Sequence, residues 1–311
     1  MGAGVTSAVD PLRRVETYLD AVPRVSGRAE DFGPLTLFVA DEGAPFPYCA
    51  RPAVVAPGRV AHPGPGPDDV WRVRERQRRL GVPESFEWIG EHAPGLRAAA
   101  GKAGLRVWER PLMVLDTAGA DAHAAAPPGL GAEGPGLGTE VPGCGRSVPG
   151  AVVRVLGAGD PALPGALAVP YLAFAEAPPG GGRGSPLRLE DAVGLYVTPW
   201  TLARARDRVR AGHTVVAAAL DDAGVPLCAG QLLPLGGTTE LVGIGTLPAV
   251  RRRGLGAAVT AALVAEARRL GLTTVFLTAN DERAAQLYAR HGFRTAATAC
   301  FAQPAPGGGA G

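Results

Sequence analysis

A chain of 311 residues is about twice the usual domain length and leads to an expectation of two domains. An apolar fraction of 46% suits a globular protein, while 45 Gly and 30 Pro mark concentrated linkers and turns. The net charge of +2 is spread over mixed-sign segments, and Lys102 is the only lysine, which argues against a nucleic-acid partner and leaves room for a modest anionic ligand. Cys49, Cys144, Cys228 and Cys300 form no Cys-x-x-Cys pair, so buried free thiols are expected in place of a metal site or a disulfide framework. No basic stretch followed by an apolar core opens the chain, and no apolar run approaches the ~18 residues of a membrane span. A soluble cytoplasmic protein with no membrane partner is expected.

In chain order, the periodicity predicts a helix near Pro11 to Ala21, strands near Leu35 to Ala40 and Tyr48 to Val55, and a helix at Asp68 to Leu80. A short strand (FEWI), a further helix and Gly104-Leu105-Arg106 follow. Trp71, Trp88 and Trp108 are expected in the core, with pocket lining as the alternative. Residues 119–149 are dense in Gly and Pro, almost lack large apolar side chains and read as a linker. Beyond it come a strand at Ala151 to Leu156, helices at Pro161 to Phe174 and Pro199 to Arg210, and a surface loop at Pro178 to Pro186. Strands at Thr214 to Leu220 and Val225 to Leu233 flank a tight turn, and a third antiparallel strand spans Thr239 to Leu247. The helix Leu255 to Leu270 is capped by Gly271, the strand Thr273 to Thr278 is short and apolar, a helix covers Glu282 to Arg290, and Phe293 to Phe301 is extended. Residues 304–311 read as a frayed tail.

An echo links the halves. Arg78-Arg79-Leu80-Gly81, a strand, a helix and Gly104 parallel Arg268-Arg269-Leu270-Gly271, a strand, a helix and Gly292, with 23 and 21 residues between the paired glycines. A degenerate internal duplication would produce this spacing, and so would two unrelated helix–strand–helix segments.

The motif richest in chemistry is Arg251-x-x-Gly254-x-Gly256, set between a strand and a helix. Unpaired backbone N–H groups converge at a helix N-terminus, glycines let phosphate oxygens approach, and Arg251, Arg252 and Arg253 add positive charge. Alone, the motif is a weak signal, with about one chance match expected in such a sequence. Preceded by Ile244-Gly245-Thr246-Leu247-Pro248 and followed by Leu287-Tyr288-x-x-x-Gly292-Phe293, it resembles the GCN5-related N-acetyltransferase (GNAT) family. The resemblance covers about residues 150–303.

It implies an α/β fold with a mixed, mainly antiparallel central sheet flanked by helices. Residues 1–118 would form a second, smaller α/β domain, either a degenerate relative or an accessory supplying a pocket wall or a homodimer surface. The implied activity is transfer of an acetyl group from acetyl-CoA to a primary amine by direct attack, on a small molecule or a peptide, without a metal. Ile244, Gly245 and Thr246 would pair with the pantetheine arm, while Arg251, Arg252, Arg253, Gly254, Leu255, Gly256 and Ala257 would enclose the pyrophosphate. Asp281 stands where the family commonly has a cofactor-contacting Asn, and Asn280 lies one residue early.

Tyr288, with a reference pKa of about 10 against about 8.5 for a thiol, would hold a proton for the departing thiolate. Backbone N–H groups near Gly245 and Thr246 would stabilise the oxyanion, since the resemblance implies a sheet opened at this strand by a bulge, which Gly243 and Gly245 suit. The strand at Thr273 to Thr278 lacks the Glu of many family members. Glu240 is therefore the candidate base, with a solvated strand-end role and a water chain as its alternatives. His213 and His291 have no visible metal partner. A non-catalytic acyl-CoA-binding or regulatory module is the rival reading, and a nucleotide-binding protein using the Gly-rich turn is a third, weaker one, since the Lys-Ser or Lys-Thr ending of a P-loop is absent.

Overall fold

The computed structural model describes residues 10–41, 48–117, 148–174 and 187–305. The expected linker apart from Val148 and Pro149, the loop at Pro178 to Pro186, Cys144 and the tail beyond Ala305 lie outside the described residues. Two compact units emerge, one drawn from Met1–Leu115, Thr278–Gln286 and Phe293–Gly311, the other from Asp116–Leu277 and Leu287–Gly292.

The first unit opens with helix α1 (Pro11–Val25). Its start is fixed by Pro11 at the first turn and by the Asp10 carboxylate, which accepts from the Leu12 amide at 3.1 Å. Strands β1 (Gly27–Asp31) and β2 (Leu35–Ala40) follow, then β3 (Ala50–Pro52) and a separate ribbon of β4 (Val54–Ala56) and β5 (Arg59–Val60). The single strand expected over Tyr48 to Val55 is thus two strands in different sheets. Pro52 lacks an amide to continue the ladder, and the chain leaves the sheet there.

Helix α2 (Pro67–Leu80) buries Val70, Val73, Arg74 and Gln77, a stripe at helical spacing. Trp71 lies off that stripe and is 44% exposed, with the Arg74 guanidinium 4.6 Å from its ring centroid, so its expected core position is corrected. Trp88 is core as expected, and the partly buried Trp108 stacks on Phe301. Strand β6 (Phe86–Ile89), helix α3 (Leu96–Lys102) and strand β7 (Arg106–Asp116) complete the N-terminal elements.

In the second unit, strand β8 (Val152–Leu156) leads to α4 (Leu163–Phe174), α5 (Leu189–Tyr196) and α6 (Pro199–Arg210). The reading from sequence placed two helices here; α5 is a third, kept apart from α6 by the extended Val197-Thr198 step before Pro199. Strands β9 (Val215–Leu220), β10 (Pro226–Leu235) and β11 (Thr238–Thr246) form an antiparallel meander. A 3-10 turn at Pro248–Val250, helix α7 (Leu255–Arg269), strand β12 (Thr274–Thr278) and helix α8 (Glu282–Ala289) follow. The strand order is β12-β11-β10-β9-β8, antiparallel except for the parallel β11/β12 pair.

Helices α4 and α7 cover opposite faces of this sheet. Gly243 and Gly245 face Pro170 and Ala173 of α4, while Ile244 and Thr246, one residue out of phase, face Gly256 of α7. Buried Leu156, Leu163, Val169, Val209, Val216 and Leu220 form the core beneath α4, and α7 buries Leu255, Val259, Leu263 and Ala267. Each such Leu or Val contributes roughly 1.5–3 kcal/mol over its exposed state.

The last strand, β13 (Arg294–Gln303), belongs to the first unit, whose order is β1-β2-β3-β6-β13-β7. Its residues Ala299 to Ala302 pair with β6, and Arg294 to Gln303 with β7, both antiparallel. The echo read from sequence recurs in the backbone: Gly81, Gly104, Gly271 and Gly292 all hold positive φ after a helix.

Candidate functional site

Strand β11 is interrupted at a defined point. Ala229 pairs with Gly245 and Gln231 with Val242, so Gly243 and Ile244 together oppose Gly230. This is a β-bulge with its glycine at φ 65°. Opposite the bulge, a Cβ on Gly230 would lie 2.1 Å from Ile244 Cδ1, so the end of the Ile244 side chain would have to shift. On the other face, a Cβ on Gly245 would meet Ala173 Cβ at 2.8 Å and the Pro170 Cα at 3.2 Å. Strand β11 therefore packs against α4 through bare backbone.

The parallel ladder between β11 and β12 runs from Thr238↔Thr274 to Glu240↔Phe276. Beyond that register, among the described residues, β11 continues to Thr246 without pairing to β12. Apart from the Thr246 carbonyl, which accepts from Arg251, the backbone groups on that edge are left for another extended partner.

The turn after β11 delivers the chain to α7, whose first residue is Leu255, as read from sequence. Arg252 at φ 64° and Gly254 at φ 83° both take left-handed conformations that fold the loop back and turn successive amides toward one side. The first helical bond runs from the Ala258 amide to the Gly254 carbonyl, so the Leu255, Gly256 and Ala257 amides precede it at the positive end of the helix dipole. A Cβ on Gly254 would meet nothing within 4 Å, and one on Gly256 only Thr246 Oγ1 and Ile244 Cγ2, at 3.7 and 3.8 Å. The mouth is open to an anion, and a phosphate diester fits its donor set.

The three arginines divide the work. The Arg251 guanidinium donates to the Ala173 carbonyl at 2.7 Å and to the Thr246 carbonyl at 3.4 Å, tying the turn to α4 and to the end of β11. Arg253 donates to the Pro149 carbonyl at 3.0 Å. Arg252 is exposed and makes no hydrogen bond among the described residues, which leaves its charge for solvent or a ligand.

Tyr288 sits on α8, partly buried, where the helix ends with the His291 amide bonded to the Tyr288 carbonyl at 2.9 Å and Gly292 at φ 89°. Burial pushes its phenol up to about 12, with the nearby Cys228 thiol as a further contribution. Cys228 is fully buried on β10, opposite Thr246, and its sulfur accepts a hydrogen bond from Thr246 Oγ1 at 3.2 Å.

Glu240 is not part of this group. It occupies the last paired register of β11, roughly 15–20 Å along the strand from Thr246 at the usual rise per residue. The Asp281 carboxylate accepts from the Ala284 amide at 2.8 Å and caps α8, a task Asn performs equally well. His213 is exposed, and among the described residues no cluster of His, Cys, Asp and Glu could hold a metal ion. No helix among them is long and apolar enough to cross a membrane. Cys228 and Cys300 are buried free thiols as expected from the sequence, while Cys49 is only partly buried.

Residues 188–293 match the profile described as the Acetyltransferase (GNAT) family. Among solved structures, the chain is similar to a GCN5-related N-acetyltransferase from Kribbella flavida, at 23% identity and a TM-score of 0.63, covering 97% of this chain and 98% of that one. It is also similar to a GCN5-related N-acetyltransferase from Sphaerobacter thermophilus, at 15% identity and a TM-score of 0.51, with 88% and 81% covered. At these identities the likeness is one of fold. No curated protein matches the sequence significantly. The bulged strand, the glycine turn and the tyrosine helix all fall inside the matched segment, and residues 188–293 form a domain of the GNAT acetyltransferase family.

Proposed function

We propose that the protein is an acetyl-CoA-dependent N-acetyltransferase acting on a primary amine by direct attack. The observation that carries this reading is an open, amide-lined helix mouth at Gly254 to Ala257 directly after the bulged strand, in a chain that also holds the partly buried Tyr288 phenol, pushed up to about 12, on α8. Acetyl-CoA supplies the activated acyl group as a thioester.

The residues of the chain have separable tasks. Gly254, Leu255, Gly256 and Ala257 offer amides to the pyrophosphate, and Arg252 adds charge. Arg251 and Arg253 hold the turn in shape. The unpaired edge of β11 from Ile244 to Thr246 offers backbone groups to the pantetheine arm and an amide to the developing oxyanion. Tyr288 keeps its proton at neutral pH and presents it to the leaving sulfur.

A solvent path removes the amine's proton, since Glu240, the nearest acid on β11, lies too far along the strand for direct contact. Asp281 acts first as the cap that fixes the start of α8, and its cofactor contact is indirect. Among the described residues of the N-terminal half, the start of α2 is no second anion site: Asp68 and Asp69 crowd the first turn, and the Asp69 carboxylate takes the Gly66 amide at 2.8 Å. Negative side chains already fill the place an anion would need.

The test is free-thiol release from acetyl-CoA across a panel of primary amines, including polyamines, amino acids, aminoglycosides and peptide N-termini. Thiol release with at least one acceptor, matched by acetylated product in mass spectrometry, is expected. Tight acetyl-CoA binding without release against the whole panel would favour a non-catalytic acyl-CoA-binding module.

A further inference from the structure

A cavity of about 330 Å³ in the first unit takes no part in the site described above. Strand pairing lays out its floor: Cys300 of β13 lies opposite Trp88 of β6 on one side and Glu109 of β7 on the other, so the three side chains form one row on one face. Gly90, just past Trp88, keeps the floor open, because a Cβ there would come within 3.1 Å of the Cys300 sulfur. Pro94, Arg97, Glu91 and Thr298 make the rim, where Arg97 pairs with Glu109. The Glu91 carboxylate accepts from the Thr298 amide at 2.9 and 3.0 Å and from its hydroxyl at 3.0 Å. Burial and the Glu91 charge hold the Cys300 thiol above its usual range, so the sulfur is a neutral part of the floor.

Two imbalances remain in this lining. Glu91 and Glu109 face one guanidinium, that of Arg97, which leaves one negative charge over; a carboxylate has about four acceptor positions and Thr298 has two hydrogens to give, so Glu91 keeps room for a further donor. The buried Trp88 indole N–H has no acceptor among the described residues, a state that costs free energy and that an acceptor entering through the cavity relieves. We propose that the cavity binds a small monocation of the amino-acid amide type, with its α-ammonium on Glu91, its neutral carbonyl oxygen on the Trp88 N–H, and its carbon body against Pro94, the indole ring and the Cys300 sulfur. The volume lies within the range of small-molecule sites, which begins at about 300 Å³. A free amino acid would add a carboxylate to a cavity that is already negative, and is the poorer fit.

The test is an NMR titration of the full chain, labelled with nitrogen-15 at its 4 tryptophans, with leucinamide as the probe and no acetyl-CoA present, so its outcome is independent of the transferase reading. The Trp88 indole signal is identified by its loss in Trp88→Phe or, should that variant not fold, by elimination with Trp71→Phe, Trp108→Phe and Trp200→Phe. Leucinamide should move the Trp88 N–H signal downfield along a saturable curve. N-acetylleucinamide, which keeps the carbon body and the carbonyl and loses the charge, should bind at least about tenfold more weakly, and Glu91→Gln should weaken leucinamide by a similar factor. The ligand pair needs no variant and decides the matter should Glu91→Gln not fold. No saturable movement of the Trp88 signal, equal affinities for the charged and uncharged ligands, or parent affinity in Glu91→Gln would each overturn the proposal.

Discussion

Replacing Tyr288 with Phe removes one hydroxyl from a partly buried position and leaves the ring in place. The expected magnitude follows from the acidity of the phenol. With its pKa pushed up to about 12, Tyr288 holds its proton across the working pH range. A thiol leaves with a reference pKa of about 8.5, so full transfer from the phenol is uphill by roughly 3.5 units, or ~5 kcal/mol, unless burial also raises the sulfur's basicity. The phenol then acts chiefly as a hydrogen-bond donor to the charge building on sulfur. Losing such a bond to a charged group costs about 1.5–3 kcal/mol, a turnover loss of about 10–150-fold. That falls at or below the lower half of the general-acid range of about 100–10,000-fold. The assay is free-thiol release at saturating acetyl-CoA from pH 7 to 10, alongside acetyl-CoA affinity by calorimetry. Affinity should hold, and the parent should show no alkaline fall in rate assignable to Tyr288 below about pH 10. An alkaline limb centred near 10 that vanishes in Tyr288→Phe would refute the reasoning, as would an unchanged turnover.

Three other perturbations test the frame around the site. Arg251→Lys keeps the charge and loses the fork that reaches the Ala173 and Thr246 carbonyls together, so acetyl-CoA affinity should drop several-fold with little change in its salt dependence; a variant of parent affinity would return Arg251 to the role of a simple charge. Gly245→Val should destabilise the protein by about 1–3 kcal/mol, because its Cβ meets α4 at 2.8 Å; an unchanged thermal midpoint would show that α4 does not bear on β11. In the first unit, His92 Nδ1 lies 2.5 Å from the buried Glu16 carboxylate, a hydrogen bond that holds the imidazolium above its usual range. The folded state therefore binds the proton more tightly, so stability is fully present below about pH 6.5 and is lost as pH rises through the higher folded value. Thermal midpoints from pH 5.5 to 8.5 should fall along that course and flatten in Glu16→Gln; a parent curve already flat would contradict the pair.

How much of this was legible in the sequence depends on how local each cause is. The start of α7 at Leu255 followed from Gly254 and the apolar period after it, which are neighbours in the chain, whereas the bulge was expected from the family resemblance, with Gly243 and Gly245 suited to it. Trp71 was misread as core because aromatic bulk was weighed over phase, although Val70, Val73 and Gln77 already defined the buried stripe of α2. Helix α5 escaped because eight residues beside a Gly-rich stretch carry little periodic signal. The bond from Thr246 to Cys228 escaped for a different reason: it forms only through strand pairing, which no spacing along the chain encodes. The pairing of β13 with β6 and β7 is non-local in the same way.

The central claim is that the amides opening α7 receive the cofactor's pyrophosphate, and calorimetric titration of acetyl-CoA into the parent, Gly254→Asn and Gly254→Asp tests it most directly. Asn and Asp have the same shape, both tolerate the left-handed φ of 83°, and the added side chain meets open space, so their difference isolates one negative charge. Saturable binding by the parent, near-parent affinity in Gly254→Asn and at least a tenfold loss in Gly254→Asp are predicted. Equal affinities for the Asn and Asp variants, or no binding by the parent, would contradict the account.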